Sequence, residues 1–214
     1  MRILYGRKAG MTQVFKDGVM IPVTVIEAAP MTVVDHRTLE KNGYTALIVG
    51  FEDVKESRVT KPMLGIFKKA GVAPKRYLRE IPVTPEELAQ YAIGSTITVE
   101  LFKPGDMVDV TGRTKGRGFQ GGVKRHGFRG FPDSHGHRYH RAGGSLAASS
   151  FPSRVFKGKR MPGHMGTNQV TIQNLEVVDV RPDSNVLLVK GAVPGAIRSL
   201  LRIKDAARLV IENA

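Results

Sequence analysis

Residues 112–144 read GRTKGRGFQGGVKRHGFRGFPDSHGHRYHRAGG, and this stretch decides how the rest of the chain must be organised. Continued to Gly166, it holds 12 of the 33 Lys and Arg, 13 of the 24 Gly and 5 of the 6 His, against a single acid, Asp133. Its net charge is +11, whereas the other 159 residues together carry only +3. A segment of this composition cannot bury enough apolar surface to offset the entropy of ordering its backbone. It is expected to leave the folded body and to be ordered by something outside the chain, and its charge calls for a dense polyanion.

The flanks read as the body. Gln13–Lys16 and Val19–Ile26 are expected as strands joined at Asp17-Gly18, a dipeptide that tolerates the positive φ of a tight hairpin. Met31–Thr38 and Thr45–Phe51 read as two more strands around the turn signal Lys41-Asn42-Gly43. Lys61–Ala70 is a short helix ending at Gly71. Thr84-Pro85-Glu86-Glu87 starts another, with Thr84 as N-cap, Pro85 in the first helical position and Glu87 completing a capping box, and it runs to about Tyr91. Thr96–Leu101 and Met107–Thr111 return to strand. Beyond the basic stretch come Val170–Val180 and Val186–Lys190, joined by a turn at Arg181–Asn185, and then Leu200–Lys204. Short strands at close spacing favour a barrel or sandwich. The expected division is a mainly β globular body from residues 1–111 and 167–214, with 112–166 as an irregular basic extension.

Bulk composition narrows the function classes. A pI near 10.2 favours nucleic acid as partner. No apolar run reaches the roughly 18 residues of a membrane span, and the basic stretch is too rich in Gly for an amphipathic membrane helix, so no membrane partner is expected. No apolar region typical of a secretory signal follows Met-Arg-Ile-Leu-Tyr-Gly-Arg-Lys. The absence of Cys excludes disulfides and thiolate metal sites, and a cytoplasmic location is expected.

Several motifs within the basic stretch have sharper readings that fail on context. Gly116-Arg117-Gly118-Phe119-Gln120-Gly121 matches G-x-G-x-x-G, but a dinucleotide site needs a helix next and an acid about 20 residues on. Here Gly122–Gly127 makes a poor helix, and the nearest acid is Asp133. His135, His137 and His140 have the density of a metal site but sit among cations that repel a divalent ion, so no metal is expected. Ser145, in Gly143-Gly144-Ser145-Leu146-Ala147, lacks the second glycine of a nucleophile elbow. Carboxylates are scarce wherever His and Ser concentrate. No catalytic residues, no cofactor, no small-molecule substrate and no enzymatic activity are expected.

What remains is a pattern of cations punctuated by rings. Arg113, Lys115, Arg117, Lys124, Arg125 and Arg129 precede the His-rich centre, where Arg138 and Arg141 lie; Arg154, Lys157, Lys159 and Arg160 follow it. Phe119, Phe128, Phe131, Tyr139, Phe151 and Phe156 are interspersed among them. Cations contact phosphates and aromatic faces stack on unpaired bases. The imidazoles of His135, His137, His140 and His164 are expected to donate to phosphate or to stack. Arg outnumbers Lys eight to four, which suits bidentate phosphate contact. No major-groove recognition helix is visible. Folded RNA is therefore favoured over duplex DNA, and an architectural DNA-binding (nucleoid) protein is the alternative.

Phe102, Asp109, Gly112, Thr114, Gly116-Arg117-Gly118, Gly121 and Arg125 fall at the spacing of the signature of the universal family of large-subunit ribosomal protein three. Gly10-Met11-Thr12, Ser134-His135-Gly136, Val155–Met161, Gly163-His164-Met165-Gly166 and Leu188–Gly195 extend the match along nearly the whole chain. The chain thus resembles a bacterial-type member of that family. The resemblance implies a β-barrel body of the kind shared with translation factors, and an extension threaded through ribosomal RNA toward the peptidyl transferase centre. It further implies direct binding to the large (23S-type) ribosomal RNA near its 3′ end, nucleation of subunit assembly, and ribosomal proteins fourteen and nineteen of the large subunit as neighbours.

Overall fold

The structure, a computed structural model, describes residues 2–16, 18–146 and 149–207. Asp17, half of the expected hairpin turn, and Ala147, the last residue of the Gly143–Ala147 motif, lie outside the described residues. The chain divides after Arg113 and before Gln169 into two compact units, a body and the unit Thr114–Asn168.

In chain order the body contains β1 (Ile3–Lys16), β2 (Val19–Glu27), β3 (Met31–Arg37), α1 (Leu39–Asn42), β4 (Ala46–Asp53), α2 (Lys61–Ala70), β5 (Lys75–Pro82), α3 (Pro85–Gln90), β6 (Thr96–Ile97) and β7 (Met107–Arg113). The second unit carries β8 (Phe119–Gln120), α4 (Gly122–His126) and β9 (Gly163–His164); the body resumes with β10 (Gln169–Arg181), β11 (Val186–Lys190) and β12 (Leu200–Asp205).

Six strands close into a barrel in the order β1-β12-β7-β10-β11-β2, every neighbouring pair antiparallel. Closure leaves no free sheet edge around the ring. Leu4, Ile26, Val108, Val110, Leu187, Val189, Leu201 and Ile203 are buried in its core. A second sheet, ordered β5-β4-β3-β6, is built from the segment between β2 and β7. Met31, Val33, Leu47, Val49 and Phe51 join the barrel's hydrophobic cluster, whereas Val34 and Ile48 pack with Phe67 of α2. Phe51, Phe67 and Phe102 are among the largest fully buried side chains, each stabilising the body by about 1.5–3 kcal/mol.

Local chemistry explains the helices. α3 has the full capping box: the Glu87 N–H donates to Thr84 Oγ1 (3.3 Å) and the Thr84 N–H donates to Glu87 Oε2 (3.0 Å). α2 spans Lys61–Ala70 and ends at Gly71 in the left-handed region. Three segments depart from the sequence expectation. β1 begins at Ile3 and not at Gln13; the alternation is broken around Gly6–Gly10, where the register with β2 shifts between Lys8 and Gly10. β5 is unanticipated because Ile81 is its only buried residue. Thr96–Leu101 is strand only at Thr96–Ile97, then turns through a 3₁₀ helix at Val99–Leu101.

Two ionic groups bind the barrel's strands together. The Arg2 guanidinium donates to Asp205 (2.9 Å), Asp106 (2.6 Å) and the Leu101 carbonyl (3.1 Å), and it lies 5.2 Å from the Phe102 ring centre. Asp109, only 1 % exposed, accepts the N–H groups of Asn174 (3.1 Å) and Ala207 (3.3 Å) and pairs with Lys204 (3.4 Å). Asn174 sits at φ 55, within the register shift of β10. Asp109 thus satisfies backbone that the bulge removes from the ladder.

Candidate nucleic-acid interface

The unit Thr114–Asn168 opens with a two-stranded stalk. Thr114 N–H donates to the Asn168 carbonyl (2.9 Å), Thr167 N–H to the Thr114 carbonyl (3.2 Å), and Asn168 N–H to Thr114 Oγ1 (3.2 Å). Past an irregularity at Gly166, Arg117 and Met165 resume the pairing: Arg117 N–H donates to Met165 O and Met165 N–H to Gly118 O, both 2.9 Å. β8 and β9 then pair Phe119 with His164 and Gln120 with Gly163. Gly166 has φ +86, and a Cβ there would strike the Lys115 carbonyl oxygen and lie 2.9 Å from Gly116 Cα. Only glycine fits this crossing. The stalk leaves Lys115, Arg117 and His164 exposed.

The expectation of a poor helix after Gly121 is corrected: Gly122–His126 forms α4, stopped by Gly127 at φ 70. The helix is short, and tertiary contacts hold it. Arg125 Nη1 donates to the Met161 carbonyl (2.6 Å), and His126 Nε2 lies 3.0 Å from the same oxygen. A Cβ at Gly163 would stand 2.7 Å from Arg125 Nη1, so the missing side chain admits the guanidinium. Arg125 is half-buried. It therefore braces the unit against itself as well as carrying charge. His126, absent from the sequence candidates, shares that bracing; no local pattern could have revealed a partner 35 residues away.

Farther along, Phe131 N–H donates to the His140 carbonyl (3.0 Å) and the Phe131 ring stacks on His137 at 4.8 Å and 15°. His140 Nδ1 lies 2.8 Å from the Pro132 carbonyl and 3.7 Å from Asp133 Oδ1, and Tyr139 N–H donates to His137 Nδ1 (3.3 Å). His137 and His140 thus serve this loop, while His135 is exposed. Among the described residues no three His, Cys, Asp or Glu converge as metal ligands.

The cations are presented differently. Lys124, Arg129, Arg138, Arg141, Arg154, Lys157, Lys159 and Arg160 are all exposed. Among the described residues none of these, nor Arg113, Lys115, Arg117 or Arg125, has a carboxylate partner. Phe151, Phe119, Tyr139 and Phe156 expose 87, 77, 68 and 63 % of their surface, and Arg154 lies 5.6 Å from the Phe156 ring centre. Unpaired cations beside bare aromatic faces are what phosphates and unstacked bases require.

A closed antiparallel barrel interrupted by a compact, glycine-rich, cationic unit defines a class of protein suited to a polyanion. Comparison with known proteins makes the class specific. The family model described as ribosomal protein L3 matches residues 83–185. The large ribosomal subunit protein uL3 of Fervidobacterium nodosum is 50 % identical over 208 residues, covering 97 % of this chain and 100 % of its own. Its counterparts in Carboxydothermus hydrogenoformans and Pelotomaculum thermopropionicum are 53 % and 55 % identical, each over 96 % of this chain and 97 % of theirs. The chain belongs to the ribosomal protein L3 family, which is structural and not enzymatic.

Proposed function

We propose that this chain binds the large-subunit ribosomal RNA directly, with the unit Thr114–Asn168 as its principal contact. As a family member the chain is a structural constituent of the large ribosomal subunit. Within that role, the reading is carried by one observation: the unit's exposed cations have no carboxylate partners among the described residues, although the stalk and α4 hold its backbone in place. Lys115, Arg117, Lys124, Arg129, Arg138, Arg141, Arg154, Lys157, Lys159 and Arg160 of the unit, and Arg113 of the body, are assigned to phosphate contact; His135 and His164 are assigned to phosphate or base edges. Arg125, His137 and His140 contribute while also holding the unit together. The family resemblance supports the finer reading: a primary binder near the 3′ end of the large ribosomal RNA that nucleates assembly. It also supports an extension directed toward the peptidyl transferase centre, and ribosomal proteins fourteen and nineteen as neighbours.

Salt dependence tests this reading. If about eight of the cations reach phosphate, log Kd for the cognate RNA domain changes with log salt concentration by a magnitude of about 6 to 7. A magnitude below about 3 contradicts the assignment.

A further inference from the structure

We propose that the outer edge of β1 from Met11 to Phe15 accepts an added β-strand from a neighbouring protein of the large subunit. The proposal rests on the chain being a subunit constituent and concerns a surface of the body. β1 pairs with β12 only over Ile3–Arg7, and β2 pairs with β11 only over Val23–Glu27. Beyond Arg7 and Val23 the two strands continue against each other alone, out to Lys16 opposite Val19, as a ribbon that leaves the barrel. The Lys8 N–H donates to the Ser199 carbonyl (3.1 Å) and the Arg198 N–H to the Lys8 carbonyl (2.7 Å). Among the described residues these are the last backbone bonds on that side of β1.

The register fixes which way the free main chain points. The Gly191 N–H donates to the Pro22 carbonyl (2.8 Å), so Pro22 faces β11 and turns away from β1. Its partner Gln13 therefore turns its own N–H and C=O outward, as do Met11 and Phe15 two residues to either side. Natural sheet edges are guarded by charge, proline or a bulge. Here the bulge precedes the edge, between Lys8 and Gly10, and Lys16 follows it, so Met11–Phe15 is unguarded.

The side chains say what kind of strand it takes. Of the ten large hydrophobic side chains that the body exposes among its described residues, four lie on this ribbon: Met11, Phe15, Val19 and Met20. Each is more than half exposed. Met11, Phe15 and Met20 share one face, because Phe15 lies opposite Met20. Two adaptable thioethers around one ring suit an apolar protein surface, whereas unstacked bases call for the interleaved rings and cations of the basic unit. The open edge beside that face fits an extended segment with apolar residues at alternate positions. A second copy of this chain fits poorly. A five-residue edge, roughly 14 Å long, cannot supply the about 1,200 Å² that a stand-alone pair buries, and each copy carries +14. So small a contact suits a partner already held alongside by the assembly.

The test uses purified large subunits containing the full chain with Phe15→p-benzoylphenylalanine, which keeps an aromatic ring at the edge and cross-links on illumination. The expected product joins the chain to an extended segment of one other subunit protein. A cross-link to RNA, or to a second copy of the chain, overturns the proposal. Adding Gln13→Pro removes an outward N–H that the ribbon itself does not use. It is expected to lower the cross-link yield about tenfold, through the lost bond and the bulk of the proline ring. A yield within about twofold of the parent overturns the edge pairing. Hydrogen–deuterium exchange reads the pairing in the wild-type chain: the Met11, Gln13 and Phe15 amides should exchange at least about a hundredfold slower in the subunit than in the free chain. Equal exchange in the two states overturns the proposal. Failure of the wild-type chain to enter large subunits overturns the parent reading instead.

Discussion

Replacing Gly166 by Ala tests whether the basic unit depends on its own stalk. The native φ of +86 costs an alanine about 1–2 kcal/mol in backbone strain alone. The added methyl also meets backbone: the Lys115 carbonyl oxygen inside contact distance, Gly116 Cα at 2.9 Å and the Arg117 nitrogen at 3.0 Å. Close-packed backbone cannot give way by the order of 1 Å required without breaking its pairing. The bonds at risk are Arg117 N–H to Met165 O, Met165 N–H to Gly118 O and Thr167 N–H to Thr114 O, each worth about 0.5–1.5 kcal/mol net. Strain and lost bonds together give about 2.5–6.5 kcal/mol. Hydrogen–deuterium exchange reads this locally: the Arg117 and Met165 amides should exchange at least about a hundredfold faster. Gly158→Ala is the control, because its φ of +79 is similar but a Cβ there meets nothing within 4 Å. It carries only the strain, about 1–2 kcal/mol. Protection at Arg117 and Met165 within about threefold of wild type, or equal losses for the two variants, refutes the reasoning.

Asp109→Ala strands two backbone N–H groups and Lys204; equilibrium denaturation should show a loss of about 3–5 kcal/mol, with Asp109→Asn recovering part of it. A loss under about 1 kcal/mol contradicts the bracing role. Asp106 tests acid stability: burial would raise its pKa, but the Lys103 N–H and the Arg2 guanidinium outweigh that and hold it below its ordinary value of 3.8. Its contribution is therefore complete above that ordinary value and is lost as pH falls through the lower, folded-state value. Asp106→Asn should flatten the acid limb of the thermal stability profile below about pH 4, and an equally steep limb contradicts the pairing.

Legibility in the sequence followed the range of the interaction that fixes each feature. α3 could be read because Thr84, Pro85 and Glu87 state its start within four residues. α2 was equally local, bounded by Lys61 and Gly71. β5 could not, since its single buried residue, Ile81, leaves no alternation to detect; only pairing with β4 makes it a strand. The charge of the basic stretch was plain, but its internal order was not. Arg125 reads as one more cation until its contact with Met161, 36 positions later, shows it to be a brace.

Within the Phe102–Arg125 signature, most residues are accordingly not those best placed to touch RNA, whereas Arg117 there, and Lys157, Lys159 and Arg160 in the Val155–Met161 motif, are exposed cations. Phe102 is buried, Asp109 holds the β10 bulge, and Gly112 is buried beside Leu201 and Pro194. Thr114 closes the base of the stalk, and Arg125 ties α4 to the returning strand. These positions demand one side chain because each meets fixed backbone at a fixed distance. A phosphate contact demands less: a cation on an exposed stem can reach its partner from several nearby positions. Signature residues therefore specify the frame, and charge density specifies the contact. On the proposed reading, a chain that kept the frame but carried neutral side chains at Lys157, Lys159 and Arg160 is expected to fold the same way and to bind ribosomal RNA less tightly.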